Sequence, residues 1–185
     1  MDETGNPGLT TLAARSLLKP VDVSYALGGM AGAGSIALIA TGSIVITSNG
    51  SISSPGMSGS PWANNPNFLA SASAGGIVIL GSRTSISNAG SLIATGGNGA
   101  NGIPDYNAGG GGGGGIIHLL GPSIVSGTTD VSGGSGGMKG TASGFPVFGG
   151  ACGGSGGRSG ETGSPGGVGY VFRTIVAEPA SLFVP

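Results

Sequence analysis

Short runs of apolar and β-branched residues recur along this chain, and each follows glycine or a Gly-Ser pair. Runs that begin at Ile36, Ile77 and Ile116 start three such units, and Val168 starts a fourth, incomplete one. Each unit contains about three apolar segments of three to six residues, separated by the turn residues Gly, Ser, Asn and Pro. Self-similarity of this kind, at a spacing of roughly 40 residues, is typical of a solenoid.

Three short strands in each unit predict an all-β fold, a right-handed parallel β-helix-like solenoid. In such a solenoid each unit stacks on the next and buries a narrow apolar core. A sandwich or barrel built from hairpins is the alternative, because Asn49-Gly50 is a favourable hairpin turn. The solenoid is favoured because the units resemble one another, which a set of hairpins would not require.

Glycine-rich stretches separate the units, and the longest is the run of seven glycines from Gly109 to Gly115. Such stretches are usually flexible loops. They can also form extended, polyglycine-II-like segments that pack side by side, because the absence of side chains lets neighbouring backbones hydrogen-bond. The repeated length and position of these inserts favours the ordered interpretation.

Residues 1–31 have a different pattern from the repeat region. Thr10 or Thr11 caps a short predicted helix that Pro20 ends, and a strand with period-two alternation follows up to Leu27. The sequence therefore predicts an N-terminal arm or cap (1–31), a glycine-rich β-repeat domain (32–176) and a C-terminal tail (177–185). The residues that we expect to carry docking, if this segment is an arm, are Leu12, Leu17, Leu18, Val21, Val23 and Tyr25.

Composition adds one expectation to this picture, which is that the protein is part of a larger assembly. Glycine accounts for 44 of 185 residues and proline for 11, which by itself is typical of low-complexity disorder. A net charge of −1 argues against disorder, and so does the share of Leu, Ile, Val and Phe, which is above the level of chains that stay unfolded. Because only 7% of the residues are charged, the surface must be built largely of small polar residues, and such a surface favours association.

The distribution of charge and apolar residues excludes several partners. The six Lys and Arg residues are scattered and form no basic stripe, so we expect no binding to nucleic acid. No apolar run reaches the length of a secretory signal or of a membrane helix, so we expect neither secretion by a signal peptide nor membrane insertion. The single cysteine, Cys152, cannot form an intrachain disulfide.

Candidate catalytic motifs are explained by the abundance of glycine. The stretch 97–102 matches the dinucleotide fingerprint G-x-G-x-x-G, but Ile103-Pro104 follows it in place of a helix. The two Gly-Gly-Ser-Gly-Gly stretches match a nucleophile elbow without the required helix. His118, the only histidine, is interpreted as a hydrogen-bonded core or interface residue. Acids and bases are dispersed, so we expect a non-enzyme with no cofactor and no metal.

Several of the few aromatic residues lie in the inserts rather than in the strands. Rigid aromatic side chains on exposed connections suit the recognition of sugars or proteins. The alternative is that these rings cover the ends or flanks of the glycine segments. The candidate contact residues are Trp62, Phe68, Tyr106, Phe145 and Phe148.

Units such as Gly75-Gly-Ile-Val-Ile-Leu80 and the run 109–120 resemble glycine-rich repeat proteins of tailed-bacteriophage virions. The most similar kinds are fibre-tip adhesins with a polyglycine-II sandwich and β-helical fibre or spike proteins. The resemblance covers residues 34–176. It implies a rigid scaffold, often a homotrimer, with contacts to a host surface glycan or outer-membrane protein through loops 57–74, 101–108 and 138–148.

Two classes of function follow for this chain. The first is a virion structural protein, either a surface-exposed adhesin or a capsid decoration protein, with other virion proteins as partners. The second is a cell-surface or matrix protein of glycine-rich type that acts in adhesion. The missing signal peptide favours the virion, because phage components are assembled in the host cytoplasm.

Overall fold

The computed structural model describes residues 33–62, 65–69, 72–102, 108–140 and 161–177. These residues form an all-β fold with twelve strands, and none of them lies in a helix. The strands are β1 (Ser35–Ala40), β2 (Ile44–Ile46), β3 (Ser51–Ser53), β4 (Pro61–Trp62), β5 (Asn65–Leu69), β6 (Ile77–Ser82), β7 (Ile86–Asn88), β8 (Ser91–Ile93), β9 (Ile116–Gly121), β10 (Ile124–Val125), β11 (Thr128–Asp130) and β12 (Tyr170–Ile175).

Three sheets of parallel strands contain all strands except β4 and β5. Sheet A has the order β1-β6-β9-β12, sheet B has the order β2-β7-β10, and sheet C has the order β3-β8-β11. Along the chain, successive strands enter sheets A, B and C in turn, and each pairs in parallel with its equivalent in the next unit. The units therefore resemble one another because equivalent residues have equivalent neighbours.

The pairing register matches the alignment of the apolar runs between Ile77 and Ile116, and it differs from that alignment by one or two residues at the two ends of sheet A. Tyr170, not Val168, pairs with Ile116, and Val168 is 73% exposed in the segment before the strand. At the other end of the sheet, Ile36 pairs with Val78. The alignment was wrong here because the hydrogen bonds of the glycine-rich segments, and not the first apolar residue, set where each strand begins.

The core lies between the three sheets and is formed by their inward-facing side chains. Every second residue of β9 is buried, as expected for a strand with one face against a core. Complete burial of an aliphatic side chain stabilises a fold by about 1.5–3 kcal/mol. The largest fully buried apolar side chains come from all three sheets and are Val78, Leu80, Ile86, Leu92, Ile117 and Leu119.

The turn at Asn49-Gly50 does not form a hairpin. The Gly50 N–H donates to the Thr47 carbonyl oxygen at 2.8 Å, and the turn joins β2 of sheet B to β3 of sheet C. The alternative of a fold built from hairpins is therefore wrong at this position. Among the described residues, β4 and β5 form the only antiparallel strand pair.

Ser82 holds the turn that follows β6, and its side chain is fully buried. Its hydroxyl donates to the Gly42 carbonyl oxygen at 2.8 Å and accepts from the N–H groups of Thr84 and Ser85 at 3.1 and 3.0 Å. We expect Ser82→Ala to lower the free energy of unfolding by about 1–3 kcal/mol, because buried polar groups lose their partners. Urea denaturation measures the change, and exposed Ser87→Ala is the control. Equal midpoints for the two variants would contradict this role.

The predicted terminal segments cannot be compared with this fold. The predicted arm, residues 1–31, lies outside the described residues, and so does the predicted tail, 177–185, except for Ala177. The described part of the chain corresponds to the predicted repeat domain.

Candidate interaction site at the edge of the glycine layer

Six glycine-rich segments outside the three sheets are joined by backbone hydrogen bonds, and we call them the glycine layer. Their donors follow a period of three residues. For example, the N–H groups of Gly96, Gly99 and Gly102 donate to carbonyl oxygens of one neighbouring segment, each at 2.8 Å. This is the period of an extended helix with three residues per turn. The segments are 54–59, 72–76, 94–102, 108–115, 131–140 and 161–169.

The glycine layer consists of two rows of parallel segments. In the first row, Gly56 and Gly59 of one segment donate to Thr95 and Asn98 of the next, both at 2.7 Å. The second row contains the segments 72–76, 108–115 and 161–169. Between rows the segments are antiparallel, since Gly112 bonds to Gly97 and Gly109 to Ala100, both at 2.8 Å.

Glycine is required in this layer because the backbones approach too closely for a side chain. A Cβ atom at Gly112 would lie 1.9 Å from the Ser73 carbonyl oxygen, and one at Gly134 would lie 1.8 Å from the Gly97 oxygen. Gly167 is different, since nothing lies within 4 Å of its Cβ position. The glycine composition therefore reflects packing at particular positions.

Side chains on the outside of the first row form a polar, uncharged ladder. The Asn98 Oδ1 accepts from the Ser135 N–H at 2.9 Å and from its hydroxyl at 3.0 Å, and the Asn98 N–H donates to the Ser58 hydroxyl at 3.1 Å. Next to the ladder, Ser132 donates hydrogen bonds to the Asp130 carboxylate, mainly from its backbone N–H and also from its hydroxyl. These bonds lower the pKa of the Asp130 carboxyl. The contacts of Asn98 fix three neighbouring segments relative to one another.

The segments of both rows have one of their ends at the same edge of the glycine layer, and we call it the connection edge. There the Gly109 N–H donates to Ala100, the Gly137 N–H to Gly109, and the Gly163 N–H to Gly137, at 2.8 to 3.0 Å. First-row segments end at this edge and second-row segments begin there. The residues that flank the connecting stretches 60–71, 103–107 and 141–160 therefore lie at the same edge.

The predicted contact residues belong to these three connecting stretches. Trp62 lies in β4 and Phe68 in β5, where the description covers only the backbone. Tyr106, Phe145 and Phe148 lie outside the described residues. The described ends of the predicted loops 57–74, 101–108 and 138–148 lie near one another, since Ser73 bonds to Met57 and Met138 bonds to Asn101. The positions of the aromatic side chains stay predictions. The predicted docking residues of the arm are also outside the description: Leu12, Leu17, Leu18, Val21, Val23 and Tyr25.

A second group of aromatic residues, which the sequence analysis did not single out, lies on sheet A. The rings of Tyr170 and Phe172 are stacked with centroids 6.0 Å apart, and His118 contacts Phe172 edge-on at 5.8 Å. The His118 Nε2 lies 2.8 Å from the Thr174 hydroxyl, so this histidine is hydrogen-bonded on the outer face of the sheet. This group could have been predicted from the sequence, because Tyr170 and Phe172 are two residues apart in a strand and therefore lie on the same face of the sheet.

Chemical groups that bind metals are sparse in the described ranges. Among these residues, no three of His, Cys, Asp and Glu come close enough together to hold a metal ion. No helix in this part of the chain is long and apolar enough to cross a membrane. No family model matches the chain, and no curated protein or solved structure is significantly similar to it.

Proposed function

We propose that this protein is a non-enzymatic structural protein of a bacteriophage virion and acts as a surface-exposed adhesin. Its scaffold is a right-handed parallel β-helix-like solenoid joined to a polyglycine-II sandwich. Parallel pairing of equivalent strands in successive units supports the solenoid. The three-residue period of hydrogen bonds, and the two antiparallel rows, support the polyglycine-II sandwich.

The observation that carries the adhesin function is that the residues flanking three connecting stretches lie at one edge of a closely packed layer. Recognition residues are commonly presented on loops that a rigid scaffold positions. Five of the nine aromatic residues of the chain belong to these stretches, and they are Trp62, Phe68, Tyr106, Phe145 and Phe148. Aromatic rings suit contacts with the apolar faces of a host glycan or with an outer-membrane protein.

An adhesin is favoured over a capsid decoration protein because the described residues that flank the proposed contact stretches lie at one edge. A protein bound over a capsid surface would be expected to present contacts along a broad face. The outside of the first row, by comparison, is occupied by a ladder of Ser and Asn side chains that bond mainly to one another and to the backbone. We therefore propose an exposed position on the virion, with other virion proteins as partners.

Competition for adsorption tests the proposed function. Purified protein, added to host cells before the phage, is expected to lower the adsorption rate, and the double variant Trp62→Ala, Tyr106→Ala is expected to lose this effect. The control is Val45→Ala, which changes an exposed side chain of sheet B and should block adsorption as the wild type does. Unimpaired adsorption at a saturating concentration of wild-type protein would overturn the adhesin function.

The position of the protein on imaged particles provides an independent test. Antibody labelling of intact virions is expected to mark the tip of a fibre or spike, in few copies per particle. Many copies distributed over the head would contradict an adhesin and would establish the decoration role instead. Absence from purified particles would contradict any virion function.

A further inference from the structure

All three sheets end in an edge strand at the C-terminal end of the repeat. Among the described residues, sheet A ends in β12, sheet B in β10 and sheet C in β11. The first three units each place one strand in every sheet, whereas the fourth contributes only β12 within the described ranges. Because an open sheet edge can pair with another chain, the terminal units of solenoids are normally covered.

The apolar core is incompletely covered at this end. Leu92 of β8 is fully buried, whereas its neighbour in β11, Thr129, is half-buried. Ile124 and Val171 also pack against the core and keep part of their surface exposed. A segment placed over this end would remove the remaining apolar area from water.

The backbone of β11 is oriented to bind one more strand. The Thr128 N–H donates to the Gly90 carbonyl oxygen at 3.2 Å, and the Asp130 carbonyl oxygen accepts from the Ala94 N–H at 2.8 Å. Because successive residues of a strand direct their backbone groups to opposite neighbours, the N–H and C=O of Thr129 point away from β8, toward the edge of the sheet. These two groups define the register of a strand that pairs there.

The sequence after β12 contains an apolar tripeptide at the spacing of a sheet C strand. In the third unit, β11 starts at Thr128, seven positions after Gly121, the last residue of β9. Gly121 pairs with Ile175, and seven positions after Ile175 the tripeptide 182–184 (Leu-Phe-Val) begins. The chain leaves β12 along the preceding unit, since the Val176 N–H donates to the Gly121 carbonyl oxygen at 3.1 Å.

We infer that residues 182–184 of this chain bind along β11 as a fourth strand of sheet C and cover the C-terminal end of the core. In this register Phe183 lies beside Thr129 and faces the core. The Thr129 N–H donates to the Leu182 carbonyl oxygen, and the Val184 N–H donates to the Thr129 carbonyl oxygen. Phenylalanine and valine are also favoured in strands.

Sheet B gains no equivalent strand at this spacing. Pro179 takes the position that corresponds to Val125, where a paired strand would need an N–H to donate to the Ile124 carbonyl oxygen. Proline has no N–H. The added strand therefore belongs to sheet C alone.

Two observations favour this segment over a second copy of the chain as the cover. Arg173 pairs with Leu119 and so takes an inward position of β12, where it is exposed. Two identical ends that met here would bring like charges together, whereas Glu178, the only charged residue of 178–185, offers the opposite charge. The segment also follows β12 directly, so its effective concentration at this edge is high.

Hydrogen exchange of the Thr129 amide in the full chain tests the added strand. We expect slow exchange in the wild type and exchange at least about tenfold faster in Phe183→Asp, because a charge would face the core and release the strand. The matched control is Leu182→Asp, which adds the same charge one residue earlier, on the outward side. It should leave the exchange rate of Thr129 unchanged.

A disulfide tests the register independently and does not require a destabilised variant. In a Cys152→Ser background, Thr128→Cys and Leu182→Cys together should form an intrachain disulfide on oxidation, because residues paired in neighbouring strands lie about 5 Å apart. Ser51→Cys with Leu182→Cys is the control, since Ser51 holds the equivalent position on the opposite edge of sheet C. At about 14 Å this pair should stay reduced.

Three results would overturn the added strand. The first is a Thr129 amide that exchanges in the wild type as fast as an exposed amide. The second is an equal effect of Phe183→Asp and Leu182→Asp, since a strand must distinguish adjacent residues. The third is a disulfide that forms between chains, or Thr129 protection that rises with protein concentration, since either would make a second copy the cover. None of these results depends on the adhesin function, which the adsorption experiment tests separately.

Discussion

Replacing Gly112 with alanine is expected to lower the free energy of unfolding by at least about 4 kcal/mol, a loss that few single substitutions cause. The added Cβ would lie 1.9 Å from the carbonyl oxygen of Ser73 and 2.5 Å from its carbon. Because these are backbone atoms, relief requires two segments to separate. Separation would strain the bonds from Gly112 to Gly97 and from Gly134 to Gly112, both 2.8 Å. Valine should be at least as disruptive.

Thermal unfolding monitored by circular dichroism measures this effect. For a chain of this length, about 4 kcal/mol corresponds to a melting temperature lower by roughly 8–16 °C. Gly167→Ala is the matched control, because it makes the same change in a glycine-rich segment where nothing lies within 4 Å of the new atom. The control should melt within a few degrees of the wild type. If Gly112→Ala melted with it, the segment around Gly112 would be a loop and the glycine layer would not be packed.

Truncation of Ile117 in the core is expected to have the second large effect. The side chain is fully buried between the sheets, and removal of its outer carbons leaves a cavity that a closely packed interior fills only in part. We expect Ile117→Ala to lower the free energy of unfolding by about 2–5 kcal/mol. Urea denaturation with linear extrapolation gives the change.

Ile175→Ala is the control for the core variant. Ile175 lies on β12, the strand paired with the strand of Ile117, but its side chain is 63% exposed. The same truncation there should change stability by less than about 1 kcal/mol, because little area leaves water. Equal losses in the two variants would mean that the burial difference between the two positions does not govern stability.

The glycine variant and the core variant test two different contributions to the stability of this chain. In the sheets, stability comes from apolar side chains that face the core. In the glycine layer it comes from backbone hydrogen bonds that form only because Cβ atoms are absent. A chain that lost the layer and kept the sheets would retain the alternating burial of β6 and β9 and would lose the connection edge.

The strands were largely predictable from the sequence, because short apolar segments between turn residues carry their own signal. The segments starting at Ile77 and Ile116 are strands β6 and β9, and the predicted pairing of unit with unit is present. The predicted start of the fourth unit was wrong because Val168, although apolar, belongs to the glycine layer and precedes the strand. The hairpin alternative at Asn49-Gly50 was wrong because the strands on either side of the turn find parallel partners in different sheets.

The candidate contact site was predictable only as a set of stretches. Their positions in the inserts identify the aromatic residues from Trp62 to Phe148 as candidates. No local pattern predicts that stretches about 40 residues apart in the chain lie close together in space. Their common edge depends on which segments run parallel, as the bond from Gly59 to Asn98 defines. The apolar outer face of sheet A was also not evident, because four strands must be in register before Ile79, His118 and Phe172 become neighbours.

An all-β chain of repeated units, with few charged residues and with glycine between the units, follows from the amino-acid sequence alone. Those properties are local, since they depend on the alternation of apolar residues, on turn residues and on composition. Only the tertiary structure decided which glycines must remain glycine, because Gly112 and Gly167 both lie in glycine-rich segments and only the Cβ position of Gly112 meets another backbone. It also decided which segment ends share an edge and which side chains share a face, since both arise from contacts between segments far apart in the chain.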